Sequence, residues 1–199
     1  MTPEIRRFLP DDEPALYDIC LRTGDSGEDA TALHEDPALL GHLYVGPYLS
    51  LAPDLAFVAE DEHGVAGYVL GVRDTRIFEH ECDRDWWPDL RERYPLTTFP
   101  PSGRDAGLVR LMHDPPRAAD EVVAEYPAHL HIDLLPRLQG RGYGRRLMDT
   151  LFTALRAARV PGVHLGVGLA NERATAFYHH LGFTELRRDR WGLTLVQYL

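Results

Sequence analysis

The chain has 199 residues, 44% of them hydrophobic, enough to bury the core of one domain. Its formal net charge of -10 argues against nucleic acid as the main partner, because phosphate binding requires a dense cationic surface. No apolar run approaches the roughly 20 residues of a membrane helix, the stretch Met1–Arg7 lacks the apolar core of a secretory signal, and Cys20 and Cys82 fit no metal spacing.

These features describe a cytoplasmic protein with reduced thiols, no metal and no membrane contact. The charge is uneven. Residues 1–128 carry 26 acidic and 11 basic side chains, whereas residues 129–199 carry 5 and 10. The second part suits a polyanionic cofactor and the first a cationic substrate. The chain contains no lysine.

In chain order, Glu4–Leu9 reads as a strand. Pro10–Pro14 starts a helix with acidic groups at its positive end, continued by Leu16, Ile19 and Cys20 at helical spacing. Residues 24–29 form a polar loop, and a short helix covers Pro37–Leu43. Leu55–Glu60 and Val65–Val72 flank the turn 61–64 as a β-hairpin. Residues 74–127 read as a long, irregular insertion with one helix around Arg76–Arg93, then two proline-rich segments. His129–Leu135 is a strand and Gly144–Arg159 a helix with Leu147, Leu151 and Leu155 on one stripe. Val163–Val167 is a strand, Asn171–Leu181 a helix ended by Gly182, and Phe183–Leu186 and Leu193–Tyr198 complete the sheet. The expected architecture is α/β, a mixed and mostly antiparallel sheet flanked by helices, in a single domain over 1–199 with an insertion between the third and fourth strands.

The segment Leu134–Leu147 leaves a strand and opens a helix. Gly140, Gly142 and Gly144 let the backbone turn tightly and bring N–H groups toward an anion, and the helix start adds a favourable dipole. Gln139, Arg137, Arg141, Arg145 and Arg146 crowd the same region, so the segment reads as a pyrophosphate site. It has neither the Gly-x-Gly-x-x-Gly of a dinucleotide fold nor the Gly-Lys-Ser/Thr of a Walker loop.

In this strand–loop–helix setting Gln139-x-x-Gly142-x-Gly144 resembles the Gln/Arg-x-x-Gly-x-Gly/Ala signature of the GCN5-related N-acetyltransferases (GNAT). Downstream, Asn171-x-x-Ala174-x-x-Phe177-Tyr178-x-x-x-Gly182-Phe183 is similar to that family's Asn-x-x-Ala-x-x-Phe-Tyr-x-x-x-Gly-Phe helix. A closer likeness, carried by Val45–Tyr48, the hairpin Phe57–Gly71, Trp86–Leu90, Tyr94-Pro95 and the insertion, is to the C-terminal acetyltransferase-like domain of O-GlcNAcase, and implies a stand-alone bacterial relative.

The resemblance implies the GNAT fold and acetyl-CoA as cosubstrate. Backbone N–H groups of Gly140, Arg141, Gly142, Tyr143 and Gly144 would cradle the pyrophosphate beside Gln139 and Arg145. Backbone groups of Leu134 and Leu135 would pair with the pantetheine arm. Asn171 would cap its helix and meet the cofactor. Tyr178 would protonate the departing thiolate, unless it is a core tyrosine beside Phe177.

His129, His131 and Asp133 share one face of their strand. Asp133, nearest the loop, is the first candidate to deprotonate the amine or hold a cationic acceptor, followed by His131 and His129; an ion-paired or solvated side chain is the bland alternative. Asp25, Glu28 and Asp29 either border the acceptor or form an exposed acidic loop. Trp86, Trp87 and Tyr94 read as packing, with a cleft wall or a homodimer contact as the other uses. Two functions stay open: direct acetyl transfer to an amine without an acyl-enzyme, or a catalytically silent module that binds acetyl-CoA or a protein partner.

Overall fold

Strand β1 (Glu4–Arg7) pairs antiparallel with β2 (Ala56–Asp61), which forms a hairpin with β3 (Gly64–Val72). The structure, a computed structural model, describes residues 3–190 and 192–199. Met1 and Thr2, part of the polar N-terminal stretch noted above, lie outside them. β3 pairs antiparallel with β4 (Ala128–Leu134), and β4 pairs parallel with β5 (Gly162–Gly168). β5 continues to β7 (Gly192–Tyr198) and β7 to β6 (Thr184–Arg188). The result is one seven-stranded sheet in the order β1-β2-β3-β4-β5-β7-β6, with β4–β5 its parallel pair. This is the mixed, mostly antiparallel sheet expected.

Each sheet face is covered by helices whose apolar spacing fits it. Helix α1 (Glu13–Arg22) buries Leu16, Ile19 and Cys20 against β3 and β4, joined on that face by α2 (Leu39–Tyr44) and α3 (Gly46–Leu51). On the opposite face lies α8 (Tyr143–Ala157), after α4 to α7 described below. Its Leu147, Met148, Leu151 and Leu155 are buried at the i, i+3, i+4 spacing of a core-facing stripe. Helix α9 (Glu172–His180) completes the set.

Residues 74–127 are more regular than their prolines suggest. They hold α4 (Thr75–Glu81), a π-helical turn (Cys82–Trp86), α5 (Trp87–Arg93), α6 (Arg104–His113) and α7 (Asp120–Glu125). The single helix expected over 76–93 is interrupted where Pro88 lacks the N–H that would extend the preceding α-helical ladder. Helix α6 was hidden by the flanking pairs Pro100-Pro101 and Pro115-Pro116, yet its buried Ala106, Val109 and Met112 keep a helical spacing. The buried Asp105 carboxylate accepts from the amides of Glu35 and Asp36 and bonds His34 Nδ1 at 2.5 Å, tying α6 to the segment before α2.

Trp86, Trp87 and Tyr94 of this segment are packed. Trp86 donates its indole N–H to the His42 carbonyl at 3.0 Å, Tyr94 donates its hydroxyl to Asp36 at 2.8 Å, and Trp87 is buried. Among the described residues no helix is long and apolar enough to cross a membrane. None of their His, Cys, Asp and Glu side chains form a group of three or more suited to a metal ion.

Candidate active site

β4 and β5 are paired only at Ala128–Val163 and His129–His164. Beyond this point β5 stays with β7 along its whole length, while β4 stays with β3. The two strands therefore part like a fork. The N–H of Leu135 donates to the Ala66 carbonyl at 2.8 Å. Bonded and non-bonded pairs alternate along an antiparallel ladder, so Leu130, Ile132 and Leu134 turn their backbone polar groups into the fork. A cleft of about 880 Å³ opens there, walled by β4, the loop before α8, the start of α9 and the loop after α1.

The loop conformation follows from its glycines. Gly140 and Gly142 have φ of +69° and +82°, a region that side chains with a Cβ rarely adopt. A Cβ at either would meet nothing within 4 Å, so the glycines serve the chain's path and leave the cradle open. Gly142 is the N-cap of α8 and brings no side-chain acceptor to the helix start; the first-turn amides of a helix have no acceptor within it. Gly144 has a different reason: a Cβ there would come within 3.1 Å of the Phe177 ring, so its absence lets α8 and α9 approach. Gln139 braces the loop by donating its side-chain amide to the Leu134 carbonyl at 2.7 Å. The Leu134 N–H is left facing the fork.

Deeper in the cleft lie Asp133 and Tyr178. Tyr68, fully buried on β3, donates its hydroxyl to Asp133 Oδ2 at 2.6 Å. Burial pushes the Asp133 carboxyl up to about 6, while the hydroxyls of Tyr68 and Thr23 draw it back down. Tyr178 is buried with its ring against Phe177 and Phe183. Burial, with the Asp133 carboxylate nearby, holds its phenol far above the usual tyrosine range. At neutral pH the site thus pairs an ionised carboxylate with a neutral phenol. Asn171 caps α9, its side-chain oxygen accepting from the Ala174 amide at 3.0 Å, and it lines the cleft with Arg145.

Not every expected residue reaches the cleft wall. Leu135 does not line the cleft: its N–H is bonded to Ala66, its carbonyl accepts from Leu138, and its side chain is buried. Of the arginines expected at the loop, Arg137 turns back to Asp61 at 2.9 Å, because the end of β2 presents a carboxylate there. Arg146 lies over the Tyr143 ring at 4.9 Å, and Arg141 donates to the Arg137 carbonyl. Arg141 and Tyr143 are absent from the cleft wall.

His129 is spent on Tyr48 and Thr75, at 2.7 and 2.8 Å from its two ring nitrogens, and burial pushes its pKa well down. His131 lies behind β4 against the rings of Tyr44 and Tyr48, pushed down to about 4 by burial. Asp25 and Glu28 reach the cleft, whereas Asp29 turns to the Thr31 amide. The sequence reading missed Tyr68, Thr23 and Arg173. Tyr68 was detectable in principle, since it faces Asp133 across the β3–β4 ladder, but only once that register was known.

With this geometry in view, comparisons with known proteins are specific. The sequence matches the Acetyltransferase (GNAT) family over residues 28–183. Protein O-GlcNAcase of Rattus norvegicus is 30% identical over 186 residues, which is 92% of this chain and 20% of that protein. The chain therefore spans about a fifth of the length of this curated relative. Mycothiol acetyltransferase of Beutenbergia cavernae is 38% identical over 110 residues, covering 48% of this chain and 33% of that protein. Among solved structures SsHAT superposes with a TM-score of 0.93 at 43% identity, over 100% of this chain and 98% of that one. Both resemblances drawn from the motifs hold, and the chain belongs to the GNAT acetyltransferase family.

Proposed function

We propose that residues 1–199 act as one catalytic unit that moves an acetyl group from acetyl-CoA directly to an amine. The observation that carries this reading is that Asp133 and Tyr178 line one cleft together with the Gly140–Gly144 loop. The pyrophosphate would lie on the Gly140–Gly144 backbone at the start of α8, with Arg145 beside it. The pantetheine arm would follow the free edge of β4, using the Leu134 N–H and the outward groups of Ile132. Leu135 is not available for this role.

In the transfer step the amine nitrogen attacks the thioester carbonyl. A C–N bond forms and the C–S bond breaks. The proton shed by the amine passes to Asp133, and the departing thiolate takes the Tyr178 proton. Asp133 then releases its proton to solvent and Tyr178 regains one from it, so the site is restored and the products are the acetamide and free CoA. Neither cysteine is suited to an acyl-enzyme. Burial raises the Cys20 thiol well above its usual range and Cys82 up to about 12, which disfavours the thiolate nucleophile.

Asp25 and Glu28 at the cleft rim would draw in a protonated amine. The test is thiol release from acetyl-CoA in the presence of an amine panel, for the parent and for Tyr178→Phe. Amine-dependent release that falls by about 100-fold or more in the variant, the scale of a lost general acid, supports the assignment. Equal release from both contradicts it.

A further inference from the structure

A second space lies behind β4, at the crotch of the fork. It is a chamber of about 260 Å³ whose walls include His131 and Leu130 of β4 and Gly166 of β5. Tyr44, Tyr48, Phe78 and Trp87 supply rings to its other walls. His131 and Asp133 are two residues apart on one strand and so share a face, which sets the chamber one step along β4 from the proposed base. The geometry points to this chamber as the acceptor subsite, taking a primary amine that carries one apolar or aromatic group about the size of a single side chain. This rests on the acetyl-transfer reading above and adds the class of acceptor to it.

Three features support that class. First, the chamber's charged wall residues are Glu79 and Arg117, and they compensate each other at 3.6 Å. Glu79 is further occupied by Arg76 and by the Ala118 amide. No carboxylate is left there for a second ammonium, so a polyamine would bury an unpaired charge. Second, the three histidines on the wall, His129, His131 and His164, lie among rings and carbonyl groups and stay uncharged near neutral pH. A wall of rings and uncharged histidines favours the amine in its free-base, nucleophilic form.

Third, the volume is kept open by Gly166. Alternation along β5 puts Gly166 on the same face as His164, and a Cβ built there meets nothing within 4 Å. A larger side chain would stand in the chamber without displacing the fold.

Gly166→Val is therefore the decisive variant. The probes are 2-phenylethylamine and spermidine, read by thiol release from acetyl-CoA and by ligand-detected NMR binding to the CoA-loaded protein. The expected result is that 2-phenylethylamine exceeds spermidine in kcat/KM by about tenfold or more. Gly166→Val should lose that turnover and that NMR signal while binding acetyl-CoA as the parent does. Equal or better use of spermidine, an unchanged response in Gly166→Val, or no NMR binding of 2-phenylethylamine to a protein that does bind CoA would each overturn the chamber assignment. Failure of the parent to bind acetyl-CoA would instead remove the transfer reading on which it stands.

Discussion

The two spaces that meet β4 one after the other are built from different materials. The cleft brings together the outward edge of β4, three glycines at positive φ (Gly27, Gly140 and Gly142), the first turn of α8 and side chains of α9. The chamber is walled by rings from α2, α3, α4 and α5 and by buried histidines. A backbone wall can hold a ligand through groups common to every residue, so its chemistry depends on where the chain is free to turn. A ring wall recognises by shape and by excluding water, so its chemistry depends on which side chains tertiary packing brings together. The first suits a cosubstrate shared across a family, and the second a substrate particular to one member.

The largest effect should come from breaking the backbone wall. Gly142→Glu forces a side chain into φ +82° and sets a carboxylate against the pyrophosphate. Acetyl-CoA affinity should fall by about 100-fold, close to 3 kcal/mol, as read by calorimetry on a sample shown folded by circular dichroism. Next is the chemistry between the two spaces. Asp133→Asn should lower kcat/KM by about 100-fold and remove an acid limb of the pH–rate profile centred near pH 6, because the parent's carboxylate is the active form and burial sets its pKa at about 6.

The same residue predicts a smaller, opposite effect on stability. The folded-state pKa of Asp133 lies above the unfolded value of 3.8. Its contribution is therefore fully present below about pH 4 and is lost as pH climbs through about 6, leaving a desolvated charge that costs about 3 kcal/mol. Asp133→Asn should melt above the parent at pH 8 and level with it at pH 4. The smallest effect belongs to the rim: Asn171→Ala removes the cap on α9 and should cost about 1 kcal/mol by urea denaturation, with Tyr178 otherwise in place.

The contrast between the two walls also explains what could be read from sequence. The backbone wall was legible. Gly140, Gly142 and Gly144 stand at fixed offsets because left-handed turns and close helix contact demand glycine at those positions, and Asn171 stands where a helix needs a cap. Asp133 was legible as a face of its strand through period-two alternation. The ring wall was not. Tyr44, Tyr48, Phe78 and Trp87 lie on four separate helices, and each by itself reads as an ordinary core residue.

Arg137 and Arg146 were misplaced for a related reason. Sequence proximity showed positive charge near the loop, but Asp61 at the end of β2 and the Tyr143 ring claim those side chains first. Leu134 and Leu135 were both expected at the pantetheine arm; alternation along β4 gives Leu134 to the fork and Leu135 to β3, and only the register with Ala66 decides which.

The most direct test of the central claim is calorimetric titration of acetyl-CoA into the parent and Gly142→Glu proteins. Saturable binding at one site per chain is expected in the parent, with the variant weakened by about 100-fold. Equal binding by two folded proteins would contradict the placement of the pyrophosphate at the start of α8, and an absence of binding by the folded parent would contradict acetyl-CoA as the cosubstrate.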